Sequence, residues 1–188
     1  MTKTNFLITA FIFAVFAIAN PLKSQNMSLQ QADFELKGSA NVGSWKCDLN
    51  EAEGKINITS KDDGYGIESL EISLPVESFK CDEGSRMENN MYGYLESDDH
   101  PYITYKLNRV HPRTINDQGS VMFYGEITVA GETKSVRTDV KIDRGGTVTL
   151  SGSQELKMTD FDIDPPTAML GTVRSRDKVE INFEISFE

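Results

Sequence analysis

The chain has 188 residues, with nineteen Lys and Arg against twenty-nine Asp and Glu, a formal net charge of −10 and 38% hydrophobic residues. So acidic a surface repels phosphate backbones and anionic lipid headgroups, which argues against nucleic acid as a partner. The length suits one domain with a real core, and two histidines and two cysteines are too few for most zinc sites.

Residues 1–25 read as a signal peptide, with residues 26–188 as the mature domain. Lys3 supplies a positive start, and Phe6 to Ala19 form an uncharged run of fourteen residues. That is short of the roughly 20 residues a membrane span needs, and normal for an export signal. Ala17-Ile18-Ala19 fits a small-x-small cleavage rule and Ser24-Gln25 is a second site. No cysteine lies near either, so no stable membrane anchor is expected. Loss of Lys3 and Lys23 removes two positive charges and no acid, taking the net charge from −10 to −12. The expected compartment is periplasmic or secreted. In such a chain the even pair Cys47 and Cys81 suggests a disulfide, against the alternative of two buried thiols.

Beyond the signal the dominant period is two. Short apolar runs lie at Phe34–Leu36, Val42–Leu49 and Ile56–Ser60, followed by "SLEISLPVES" with Leu70, Ile72, Leu74 and Val76 on one face. "SRMENNMYGYLESDDHP" breaks the period: Met87, Met91, Tyr94 and Leu95 have helical spacing, Ser85 is placed to cap the start, and Pro101 stops the run. Strand patterns resume at Ile103–Val110 and in "VMFYGEITV" (Val121, Phe123, Ile127, Val129). They continue in "SVRTDVKI" (Val136, Val140, Ile142) and "TVTLSGSQELKM" (Val148, Leu150, Leu156, Met158). A long connection from Asp160 to Asp177 precedes "VEINFEISF", where Val179, Ile181, Phe183, Ile185 and Phe187 alternate with polar residues, as in a half-buried strand. Asp62-Asp63-Gly64, Asn116-Asp117-Gln118-Gly119 and Arg144-Gly145-Gly146 supply turns. Eight or nine such strands, mostly in hairpins, predict an all-β antiparallel sandwich or closed barrel with one short helix.

"GEITVAGETKSVRTDV" places glycine, lysine and hydroxyls together, as phosphate loops do. A Walker loop needs lysine directly after its glycine and a helix beginning there. Here Glu132 and Thr133 intervene between Gly131 and Lys134, and strand alternation follows. The stretch reads as strand, turn and strand, with Gly131 accepting positive φ.

This hairpin resembles the G-x-[LI]-T-[IV]-x-G-x-T-K-x-V hairpin of the YceI-like family of exported lipid-binding proteins. "ESFKCDEGSRMENNMYGYLESDDHPYITYKL" is similar to that family's strand, helix, P-x-I-x-[FY] and next strand, and "LKMTDFDIDPPTAMLG" resembles its late loop. The correspondence runs from about Phe34 to Phe187. The resemblance implies an eight-stranded antiparallel lipocalin-like barrel whose interior holds a long isoprenoid chain.

Eight strands enclose a space that side chains just fill, or that holds one slender ligand. The alternating faces supply an expected apolar lining of Leu70, Ile72, Leu74, Val76, Phe123, Ile127, Val129, Val140, Leu150, Phe183 and Ile185. Met87, Met91, Tyr92, Tyr94 and Leu95 are expected either to make the helix a flexible lid, Met being adaptable to apolar shapes, or simply to pack it on the sheet, and Asn89, Asn90 and Thr133 are placed to meet a polar end. The helix and the Asp160–Arg176 connection are expected near an entrance. No catalytic residue, metal or cofactor is assigned. Asp160, Asp162 and Asp164 begin like a calcium loop, but Pro165 and Gly171 stand where Gly and Glu are needed. No G-x-S-x-G elbow occurs, and Asp98, His100 and Asp160 are the polar set a hydrolase would have to use. The leading expectation is an exported carrier of an isoprenoid or other long-chain lipid. Its alternative is a packed interaction or stress-response module of the cell envelope, with an apolar patch on Tyr92, Tyr94 and Tyr102. Whether two barrels pair as a homodimer is left open.

Overall fold

A computed structural model describes residues 23–188. Its strands are β1 (Ser24–Ala40), β2 (Gly43–Leu49), β3 (Glu53–Lys61), β4 (Gly64–Pro75), β5 (Lys80–Cys81) and β6 (Tyr102–His111). After these come β7 (Gln118–Val129), β8 (Glu132–Asp143), β9 (Val148–Lys157), β10 (Thr167–Ala168) and β11 (Val173–Phe187). The helix α1 spans Ser85–Tyr94. Residues 1–22, most of the expected signal peptide, lie outside the described residues. Ser24 and Gln25 pair with Thr59 and Ile58 at the start of β1.

Among the described residues, eight strands run β1-β3-β4-β6-β7-β8-β9-β11, and β1 pairs with β11 to close the ring. Every ladder of that ring is antiparallel. Closure removes free sheet edges, so the expected barrel is what forms. The alternation in "VEINFEISF" produces it locally: Phe183 faces Gly152 and Ile185 faces Leu150 across β9, and both side chains point inward. Ile185, Leu150 and Phe187 are almost wholly buried.

β1 is far longer than the run Phe34–Leu36 suggests. A register shift between Leu29 and Gln31 changes which residues face inward, so its apolar positions do not keep one phase along the chain. A bulge of this kind bends and twists a strand. β2 and β3 lie end to end beside β1. β4 covers β3 but not β2, which leaves an opening in the wall near β2. The short strand β5 fills part of it, with Cys81 directly opposite Cys47, and the two cysteines are bridged.

The helix forms where expected, with one difference at its start. Gly84, not Ser85, holds the cap position, at φ 80° and with no side-chain capping bond. α1 is tied down instead by its own polar groups. The Tyr92 hydroxyl reaches the carbonyls of Glu77 (2.9 Å) and Phe79 (2.8 Å), and the Cys81 N–H donates to Glu88 Oε1 at 3.1 Å. The β7–β8 turn has Ala130 and Gly131 at φ 47° and 80°, the two positive central residues of a type I′ hairpin. Gly131 thus serves the turn, and Lys134 is a strand residue.

Candidate functional site

At the end of the barrel where α1 lies, the interior is hollow. An outer chamber of about 450 Å³ is walled by Leu36, Val129, Leu156 and Val179 of the strands. Met87, Met91, Tyr94 and Leu95 cover it from α1, and Met158, Phe161 and Ile163 close it from the connection after β9. A narrower inner chamber of about 80 Å³ follows. Ile103 and Ile181 line both, so the two chambers adjoin at a neck. Deeper still the barrel is solid: Ile58, Tyr65, Ile115, Val121, Ile142, Val148 and Phe187 are all under 5% exposed and border neither chamber. The hollow therefore ends blindly rather than running through the barrel.

Nine residues of the expected lining surround the inner chamber: Leu70, Ile72, Leu74, Phe123, Ile127, Val140, Leu150, Phe183 and Ile185. Met87, Met91, Leu95 and Val129 line the outer one. Val76 lines neither. It is buried in a 3-10 turn, with its N–H on the carbonyl of Pro101 at 2.9 Å. Of the expected polar contacts, Asn90 borders the outer chamber, whereas Asn89 does not. Thr133 is on the exposed β7–β8 hairpin, its hydroxyl 2.8 Å from that of Thr128. Tyr92 is half-buried and bonded to backbone; Tyr94 and Tyr102 are exposed.

Wall residues not singled out from the sequence include Leu36, Trp45, Phe79, Phe161 and Ile163. Trp45, the chain's one tryptophan, lies flat on Gly38 of the neighbouring strand. A Cβ at Gly38 would stand 2.1 Å from the indole. The close approach turns the ring into the chamber wall and leaves its Nε1 buried with no hydrogen-bond partner. Tyr105 is similarly seated on Gly125, where a Cβ would lie 2.5 Å from the hydroxyl. That hydroxyl too is buried without a partner, and burial pushes the phenol pKa up. Nearby, Thr138 donates to Gln154 Oε1, and Gln154 Nε2 donates to the Glu155 carbonyl at 2.8 Å. Apart from the unpartnered Tyr105 hydroxyl the inner polar groups are mutually satisfied, and the surface the inner chamber offers to an occupant is almost wholly hydrocarbon.

The ring of eight strands and its one-ended apolar pocket define a lipocalin-like barrel, with an outer chamber inside the roughly 300–1,000 Å³ range of small-molecule sites. The chain belongs to the YceI-like domain family, whose model matches residues 23–187. It is similar in fold to BcnA of Burkholderia cenocepacia: 19% identity, 82% of this chain and 95% of that one covered, TM-score 0.62. A polyisoprenoid-binding domain from Saccharophagus degradans is similar at 12% identity, with 86% and 97% covered and TM-score 0.64. The YceI protein of Campylobacter jejuni matches at 16% identity, with 100% and 93% covered and TM-score 0.54. No curated protein matches the sequence.

Proposed function

We propose that the protein is an exported, periplasmic or secreted carrier that holds the hydrocarbon chain of a polyisoprenoid-type lipid in its barrel, with no chemical step. The observation that carries this reading is the pair of joined apolar chambers. Membership of the YceI-like family supports it, as does the polyisoprenoid-binding character of the similar Saccharophagus degradans domain. A slender branched chain suits the shape, because a wide mouth narrows at Ile103 and Ile181 to a space a single chain fills. Affinity comes from apolar burial, about 25 cal/mol per Å² removed from water; several isoprene units exceed the cost of association on that scale. A polar end stays at the mouth, where Asn90, Glu83 and Lys157 border the chamber. The signal-like segment and the Cys47–Cys81 bridge support export, since such bridges persist in oxidising compartments.

Organic extraction of the purified protein, followed by mass spectrometry, tests the reading. A prenyl lipid in the extract, or saturable uptake of a prenyl alcohol reported by Trp45 fluorescence, is the expected result. A lipid-free barrel that takes up no prenyl alcohol refutes it.

A further inference from the structure

Five large apolar side chains are exposed among the described residues: Val42, Tyr94, Tyr102, Met169 and Leu170. Four of them gather at the chamber mouth. Val42 and Tyr94 border the outer chamber, and Met169 and Leu170 directly follow its wall residue Ala168. Leu170 is 108% exposed, Met169 77% and Val42 69%.

Met169 and Leu170 form the tip of the β10–β11 hairpin at φ 50° and 57°, with the Gly171 N–H donating to the Ala168 carbonyl at 3.0 Å. Two adjacent left-handed central residues are what Asn-Gly normally supplies. Bulky apolar residues there work against the turn, so local folding does not account for them. Strained backbone of this kind concentrates at functional sites. Val42 is in the neighbouring β1–β2 turn, and Asn41 clamps the two tips together. Its side-chain N–H reaches the Thr172 carbonyl at 2.8 Å, its side-chain oxygen accepts from the Arg174 N–H at 2.9 Å, and its own N–H donates to the Arg174 carbonyl at 3.1 Å. Arg174 Nε in turn holds the Gly171 carbonyl at 2.8 Å. The result is a rigid, projecting apolar edge beside the opening, with an exposed guanidinium just behind it.

We propose that this edge, Val42 with Met169 and Leu170, dips into the surface of a zwitterionic lipid bilayer so that the chamber opens onto hydrocarbon. The inference rests on the lipid-carrier reading. A long prenyl chain has negligible solubility in water, so its source is a hydrocarbon phase, and the opening has to face that phase to load. Two narrow tips suit a bilayer better than a protein partner, whose stable interfaces bury about 1,200 Å² or more in total. The net charge, −10 for the full chain and −12 without the expected signal, disfavours an anionic surface, while the exposed guanidinium of Arg174, beside the edge, suits the phosphate of a zwitterionic lipid.

The test compares the wild type with Met169→Asn/Leu170→Gly, a pair that fits left-handed backbone better and therefore folds with an equal or higher Tm. Prenyl alcohol is supplied either dispersed in detergent or within phosphatidylcholine vesicles, and Trp45 fluorescence follows uptake. The expected result is unchanged uptake from detergent and at least ten-fold slower uptake from vesicles by the variant. Equal rates from vesicles overturn the docking proposal and leave the carrier reading standing, with a protein or a second copy as the remaining occupant of the edge. No uptake from detergent by the wild type overturns the carrier reading, and docking falls with it.

Discussion

Gly38→Ala is the sharpest probe of the outer chamber. The new Cβ would lie 2.1 Å from the Trp45 ring, so the ring has to retreat by about 1.4 Å to restore an ordinary carbon contact of roughly 3.5 Å. Its open side is the chamber, and it moves there. Overpacking costs about 1–3 kcal/mol, and the lower end applies because the ring has free space to enter. If the displaced indole takes about 40 Å² of apolar wall from the ligand, the loss is about 1 kcal/mol, a roughly five-fold rise in Kd. Because Trp45 is the only tryptophan, its emission reports the displacement and the binding curve in one titration with a prenyl alcohol. A variant with wild-type emission and wild-type Kd would refute both the seating of the ring on Gly38 and its place in the chamber wall.

Other expectations concern single groups. Tyr105→Phe removes a buried hydroxyl that has no partner, so the ligand-free protein should gain about 1 kcal/mol in urea denaturation; a loss of stability would mean that the hydroxyl is bonded. Replacing Cys47 and Cys81 together by Ala opens a link across 34 residues and should cost roughly 3–4 kcal/mol. Amide exchange should then rise first in α1 and β5, and uniform acceleration across β7 and β8 would contradict the bridge's local role. The Tyr65 phenol is pushed up to about 12, chiefly by burial, from an ordinary value of 10.0. The unfolded chain gives up this proton first, so the contribution of Tyr65 to stability is constant below pH 10 and is lost between pH 10 and 12, with Tyr105, also raised by burial, adding to the alkaline fall. Tyr65→Phe should make that part of a denaturation-against-pH profile shallower, leaving the share that Tyr105 contributes, and an unaltered slope would assign the loss elsewhere.

The barrel was readable because inward and outward positions alternate strictly in β7, β8 and β11, and because the Gly131 turn matches a two-residue hairpin. β1 was readable only in part. Its inward phase slips between Leu29 and Gln31, and a bulge leaves no mark in a simple period. The inner chamber was well anticipated, since an inward strand residue near mid-barrel has nowhere else to point. The outer chamber was anticipated only in part, through Met87, Met91 and Leu95 of the helix and Val129. Phe161 and Ile163 reach it through a 3-10 turn and an irregular connection, for which the sequence has no period to follow. Trp45 became a wall residue through its contact with Gly38, a pairing set by the β1–β2 register and invisible in either residue alone. Val76 shows the opposite error: it continues the face of Leu70, Ile72 and Leu74, but the strand ends at Pro75 and carries it aside.

The solid floor of Tyr65, Phe187 and their neighbours makes the molecule a sheath rather than a pipe. On the proposed carrier reading, a chain goes in tip first and comes out by the way it went in, so whatever caps its far end faces the recipient. Cargo too long for the sheath trails outside, and the depth of the floor thereby sets a ruler against which each guest is measured.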